Sequence, residues 1–248
     1  MRDPGQGRGG VDDILEPVAR PGGFSESVLD WSRSILVAFA LFLLIRTFVI
    51  AAYKIPTSSM ENTLLVGDFL LVNRVVYGVR VPGTEFRLPA LDEPDRGDVI
   101  VFNPPHEPHK NYVKRVVGLP SDTLEMRDKR LYLNGTPVYE PYAQNIDQRG
   151  DAIHPGMRWQ DNHLIASPLD RYRPTRDNWG PIVVPHDSYF VLGDNRDNSE
   201  DSRYWGFVNR ESITGKPWFV YYSFAPDPSD PMAWMKGVRW SRVGDPID

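Results

Sequence analysis

The chain of 248 residues contains no cysteine. That absence excludes disulfides, thiolate nucleophiles and cysteine-based zinc sites, and it leaves the redox compartment open. An excess of basic residues is also missing. Lys and Arg number 28 against 33 Asp and Glu, for a net charge of -5 and a pI near 5.6. No basic face for nucleic acid is implied. There is no internal repeat and no coiled-coil heptad. Histidine is scarce, with His106, His109, His154, His163 and His186 the full set. None lies in a strong motif, and no G-x-S-x-G elbow is present. His106 and His109 raise the question of a metal pair. They sit in the proline-rich run PPHEPHK, which reads as a solvated loop. No metal or cofactor is expected.

What the chain does have is turn chemistry and one long apolar run. Its 23 prolines and 20 glycines are scattered, which suits strands and turns better than helices. The exception is Ser34 to Ala52, SILVAFALFLLIRTFVIAA, nineteen residues with Arg46 the one charge. As a helix it would be roughly 28 Å long, near the hydrocarbon thickness of a bilayer. A buried core helix is the alternative, but a helix apolar all round has few partners in a strand-like chain. A cleaved signal peptide fits poorly, because the leader is too long and the apolar run exceeds an ordinary h-region. Val28 to Arg33 extends the span, with Trp31 at headgroup depth, and Arg46 is placed to snorkel. The segment 1–27, rich in glycine, proline and mixed charge, reads as a flexible cytoplasmic tail. The large C-terminal part would then be exported.

Beyond the span, strand signals follow in series: Asp68–Asn73, Val75–Tyr77, Val99–Phe102, Tyr112–Val117, Thr123–Met126, Arg130–Leu133, Ser188–Leu192 and Trp218–Tyr222. Asn134-Gly135 favours a type I′ hairpin turn. Short strands at regular spacing predict an antiparallel, barrel-like fold. The pattern loosens between Pro137 and His186, which reads as an inserted β sub-domain rather than as chemistry. The expected organisation is a tail (1–27), a transmembrane helix (28–52), a catalytic β-domain (53–136 and 187–225), the insertion (137–186) and a C-terminal tail (226–248). Trp234 and Trp240 in that last segment are expected to pack on the core, with an interfacial lipid contact as the alternative.

Three segments carry chemistry. Ser59, in Ile55-Pro56-Thr57-Ser58-Ser59-Met60, stands just outside the span. A serine hydroxyl is a poor nucleophile until a base takes its proton. Lys114, in Tyr112-Val113-Lys114-Arg115-Val116-Val117, sits among valines, and burial disfavours a charged amine. An ordinary snorkelling strand lysine would look the same from this strand alone. The third segment, Gly193-Asp194-Asn195-Arg196-Asp197-Asn198-Ser199-Glu200-Asp201-Ser202-Arg203, follows a strand and is dense in hydroxyls, carboxylates and arginines. It fails as a calcium loop, since the third EF-hand position from Asp194 is Arg196 and no glycine or terminal glutamate fits. It suits a network that orients a buried lysine.

Taken together, IPTSSMENTLLVGDFLLVNR, RGDVIVF, YVKRVVGLPSD and GDNRDNSEDSRYWGFV resemble the type I signal peptidases, the membrane-bound Ser-Lys endopeptidases of bacteria. The likeness runs through the anchor and from Tyr53 to about Phe224. It implies Ser59 as nucleophile and Lys114 as general base. It further implies an oxyanion hole from the Thr57 hydroxyl and the Ser59 N–H. Ser199 matches the serine that hydrogen-bonds the lysine, Asp201 and Arg203 match a supporting ion pair, and Asp194 is expected to pair with Arg115. The implied substrates are exported preproteins, bound as an extended strand and cut after small residues in an Ala-x-Ala-like pattern through an acyl-enzyme. The implied place is the bacterial inner membrane, single-pass, with the catalytic domain outside the cytoplasm. Membrane lipid is an expected partner and the translocation machinery a further candidate. Two departures from the family pattern stand out: Asn62 where proline is frequent, and Ser121 where glycine is frequent. Self-cleaving repressors also use Ser-Lys on a related β-fold, but they carry a DNA-binding domain where this chain has an apolar helix. A non-catalytic, membrane-anchored β-domain is the remaining alternative, and it would give Lys114 no reason to lie among valines.

Overall fold

The apolar run folds as one helix, α1 (Phe24–Phe48), in a computed structural model that describes residues 24–79, 83–84, 86–147, 152–165 and 172–247. Residues 1–23 of the expected tail lie outside the described residues. Within α1, Asp30–Phe48 has a mean hydropathy of 1.6 and none of it is buried in the protein. Its length and composition suffice to cross a membrane. The last turn, from Leu44, forms one compact unit with everything that follows.

The helix ends four residues before the expected limit. Ile50, Ala51 and Ala52 belong instead to β1 (Ile50–Lys54), antiparallel to β2 (Asp68–Asn73) with Ile50 opposite Asn73. Arg74 sits at the junction: its Nη1 donates to the Thr47 carbonyl (2.9 Å) and its N–H to the Val49 carbonyl. A cation there satisfies an end carbonyl and complements the helix dipole. An apolar run does not reveal where helix gives way to strand.

Two antiparallel sheets follow. The larger has the order β1, β2, β11 (Ile213–Ser223), β3 (Val99–Phe102), β4 (Tyr112–Gly118), β9 (Ser188–Leu192), β10 (Val208–Asn209), and the smaller the order β7 (Thr136–Pro137), β6 (Arg130–Leu133), β5 (Thr123–Arg127), β8 (Trp179–Val183). In the larger sheet, β3 (Val99–Phe102) pairs with β4 (Tyr112–Gly118), and β4 pairs with β9 (Ser188–Leu192). The short β10 (Val208–Asn209) closes the far side. The eleven-residue β11 (Ile213–Ser223) pairs β3 at its start and β2 along the rest, with register shifts between Pro217 and Phe219 and between Val220 and Tyr222. Bulges of this kind bend a strand and raise its twist, and here they curl the sheet into a half-barrel.

The smaller sheet contains β5 (Thr123–Arg127), β6 (Arg130–Leu133), β7 (Thr136–Pro137) and β8 (Trp179–Val183). It does not respect the expected domain boundary at 137. Leu124 pairs with Ile182 and Met126 with Trp179, and all four share a core with Val117, Phe190 and Leu192 of the larger sheet. β8 is a hydrogen-bonded neighbour of β5 in the same sheet, and Leu44–Asp248 form one compact unit, so the insertion is not a separate body. Asn134 and Gly135 both have positive φ, as a type I′ turn requires. Val75–Tyr77 is not a strand. The Asn73 side chain accepts from the Val75 and Val76 N–H groups, and this local turn replaces a ladder.

The C-terminal segment folds back on the domain. Ile247 is buried beside Ile55, Met60 and Leu64, and Arg242 donates to Asp68 (2.6 Å) and to the Thr63 carbonyl. Trp234 and Trp240, expected to pack on the core, are instead 52% and 77% exposed.

Candidate active site

Pro56 ends the extended run from β1, and the chain turns through Thr57–Leu64 before entering β2. Met60 and Leu64 are fully buried on one side of this turn, which leaves Ser59 on the other. The Ser59 carbonyl accepts from the Asn195 N–H (3.1 Å). Gly193 lies so close that a Cβ would come within 2.4 Å of that carbonyl and 2.2 Å of Ser199 Oγ. Any larger residue at 193 would push the two loops apart.

Lys114 arrives from the middle of β4, opposite Ile100 of β3. Only 4% of it is exposed. Its Nζ donates to Ser59 Oγ at 2.5 Å. Burial pulls the amine down from 10.5 to about 8, against the opposing pull of Asp201, Asp194 and Glu200. An amine at that value is substantially neutral at mildly alkaline pH and competent as a base. The Thr57 hydroxyl lies 3.5 Å from Ser59 Oγ.

The acidic loop is fixed by ion pairs. Arg203 grips Asp201 with two bonds of 2.8 Å, both residues being buried. Asp201 also accepts from the Gly193 N–H (3.0 Å) and caps α2 (Ser202–Trp205). Burial alone would raise the Asp201 carboxyl; the Arg203 guanidinium and the Gly193 N–H outweigh it and hold the group below its usual range. Arg115 grips Asp194 in the same two-pronged way (2.9 and 2.8 Å), and Thr63 Oγ1 donates to the same carboxylate (2.6 Å). Fork-to-fork pairs of this kind fix direction as well as distance.

Ser199 departs from expectation. Its hydroxyl is buried but has no hydrogen-bond partner among the described residues. It faces the Gly193 backbone, and the Lys114 amine bonds to Ser59 instead. Several contributors were not visible in sequence. Glu140 pairs with Arg196 through bonds of 2.7 and 2.8 Å. The Tyr142 ring lies 4.0 Å from the Arg115 guanidinium, and Asn62 donates to the Tyr142 carbonyl. Gln144 exchanges backbone bonds with Asp194 and Arg196. The expected insertion therefore braces the loop beside Lys114. An arginine in a compact polar loop signals the need for a carboxylate, but nothing in the sequence points to Glu140 in particular. His106, the metal candidate set aside above, packs its ring against Tyr112 and Trp205.

A cleft of about 870 Å³ runs past the serine, walled by Tyr53–Met60 on one side and Lys110–Lys114 on the other. The family model described as signal peptidase, peptidase S26, matches residues 28–222. This chain belongs to that family. It is 40% identical to signal peptidase I of Pseudomonas aeruginosa over 231 residues, covering 88% of this chain and 78% of that protein. It is 38% identical to signal peptidase I S of Bacillus subtilis, covering 80% of this chain and 91% of that one. A crystal structure of a signal peptidase I from Enterococcus faecalis shares 33% identity over 50% of this chain and 96% of that chain, with a TM-score of 0.34. As a peptidase S26 member the chain is a serine endopeptidase. The family's frequent glycine at position 121 has a visible cause here: Ser121 sits at φ 72, where glycine is at ease and serine is not. Asn62 sits at φ 93, out of reach of a proline locked near -65°.

Proposed function

We propose that this endopeptidase removes N-terminal signal peptides from exported preproteins, cutting after small residues by a Ser59-Lys114 dyad. The observation that carries the reading is the 2.5 Å approach of a buried lysine amine to a serine hydroxyl at the wall of an open cleft. In the neutral form, Lys114 takes the Ser59 proton as Oγ attacks the scissile carbonyl. The tetrahedral oxyanion meets the Ser59 N–H and the Thr57 hydroxyl, preorganised donors worth about 3–4 kcal/mol in comparable sites. Lys114, now an ammonium, returns the proton to the leaving amine, and an ester remains on Ser59. Water then gives a proton to Lys114 and attacks the ester; Lys114 returns that proton to Ser59 Oγ as it leaves, which frees the signal peptide with its new carboxylate and restores the dyad.

Asp201–Arg203 and Arg115–Asp194 act as positioning pairs in this scheme, and Ser199, whose buried hydroxyl has no partner among the described residues, is the proposed hydrogen-bond partner of the lysine. Extended chains line both walls of the cleft, which suits a substrate bound as an added strand. The apolar helix confines the enzyme to the bilayer surface, in the bacterial inner membrane with the catalytic domain on the extracytoplasmic side. Lipid and the translocation machinery are its surroundings there. The test is incubation of detergent-solubilised enzyme with a preprotein bearing an Ala-x-Ala site, followed by N-terminal sequencing of the product. One cut directly after the second alanine is expected. Cuts scattered through the folded mature region, or none, would refute the reading.

A further inference from the structure

The carboxylates of the acidic loop are not all treated alike. Asp194 is gripped by Arg115 and Asp201 by Arg203, and Asp197 is held by Lys129 and Arg176 at 3.0 and 3.3 Å. Glu200 makes no ion pair or side-chain hydrogen bond among the described residues and is exposed. It is also the sole carboxylate among the described residues that line the cleft, whose other charged walls are Lys54, Lys110 and Lys114. Its charge is felt at both Lys114 and Tyr112, which line the same cleft. It shares that cleft with Ser59 and Lys114.

A free carboxylate on an open surface keeps its water. One in a substrate cleft loses part of that water when a peptide enters, and the loss is made good only by a cationic or hydrogen-bonding group of the peptide. A cation arriving there is attracted and an anion repelled. We infer that Glu200 is a specificity-determining residue, one that favours preproteins carrying lysine or arginine beside the scissile bond and disfavours those carrying aspartate or glutamate. The inference rests on the signal-peptidase reading. The pair would be partly exposed, so each charge changes affinity by a few-fold at most. Exchange of a basic for an acidic residue reads the attraction and the repulsion together, for about three- to tenfold in kcat/KM.

The test uses full-length enzyme in detergent and peptides sharing one Ala-x-Ala site. Lysine, alanine or glutamate is placed in turn at x and at the first two positions after the cut. The wild type should cleave the lysine peptide about three- to tenfold better than the glutamate peptide at one or more positions, with the ratio shrinking at high salt. Glu200→Gln should bring that ratio close to one, and Glu200→Lys should invert it. A ratio compares two peptides on one protein preparation, so a loss of folded enzyme does not move it. No charge preference in the wild type, or the same ratios in both variants, would overturn the assignment while leaving the protease reading intact. Failure to cut even the all-alanine peptide would overturn both.

Discussion

Replacing Lys114 with methionine should destroy activity and stabilise the protein. The amine falls from 10.5 to about 8 chiefly through burial. At about 1.4 kcal/mol per tenfold change in acidity, holding an ammonium there costs about 3 kcal/mol. Below pH 8 both folded and unfolded chains carry the proton, and the folded state bears the whole cost. Between about 8 and 10.5 the unfolded chain still holds the proton that the folded one has shed, so stability rises with pH. Above 10.5 both are neutral and the cost is gone. Methionine has similar length and no charge. It forfeits the bond to Ser59, worth about 1 kcal/mol. The net gain at pH 7 is about 2 kcal/mol, or about 4–8 °C in Tm for a domain of this size. Thermal unfolding of both proteins in the same detergent at pH 7 and at pH 10 checks it. The advantage of Lys114→Met should be large at pH 7 and should shrink or vanish at pH 10. A variant less stable than wild type at pH 7, or a gap that does not change with pH, would refute the argument that Lys114 is held against its own charge.

The two backbone departures give opposite expectations. Ser121 occupies the left-handed region at φ 72, so Ser121→Gly should stabilise by about 1 kcal/mol, seen as a Tm rise of about 2–4 °C. No rise would mean that the turn tolerates serine without strain. Asn62→Pro, which restores the family's frequent residue, should destabilise by more than about 1 kcal/mol, because φ 93 lies outside proline's range and the bond to the Tyr142 carbonyl is lost. Cleavage rate should fall with it, since the turn carrying Ser59 must re-form. An unchanged melting curve and rate would show that the turn has a second accessible shape.

Much of this was legible in the chain because the signals were local. Leu70 and Val72 alternate with half-exposed neighbours along β2, and Lys114, which its own strand leaves open to a snorkelling reading, is singled out by the polar loop at 193–203 and the four motifs together. The extended span misled at its end because Ile50, Ala51 and Ala52 are apolar in either state, and their pairing with Asn73, Val72 and Leu71 of β2 decides the matter. The boundary at Pro137 misled because weak apolar pairs such as Leu164-Ile165 show no period, while the partners that matter, Trp179 and Ile182, lie some fifty residues from Met126 and Leu124. The Glu140–Arg196 pair, 56 residues apart, is of the same long-range kind. Ser199 shows a different limit: a motif singles out the residue, but not that Gly193 packs closely against it and that its hydroxyl has no partner among the described residues.

The most direct test of the dyad is turnover of one preprotein by the wild type, Ser59→Ala and Lys114→Met, all shown to be folded by their unfolding transitions. The account predicts a single cut by the wild type and none by either variant. Sustained turnover by Ser59→Ala would mean that another group attacks the carbonyl, and sustained turnover by Lys114→Met would mean that another group takes the proton.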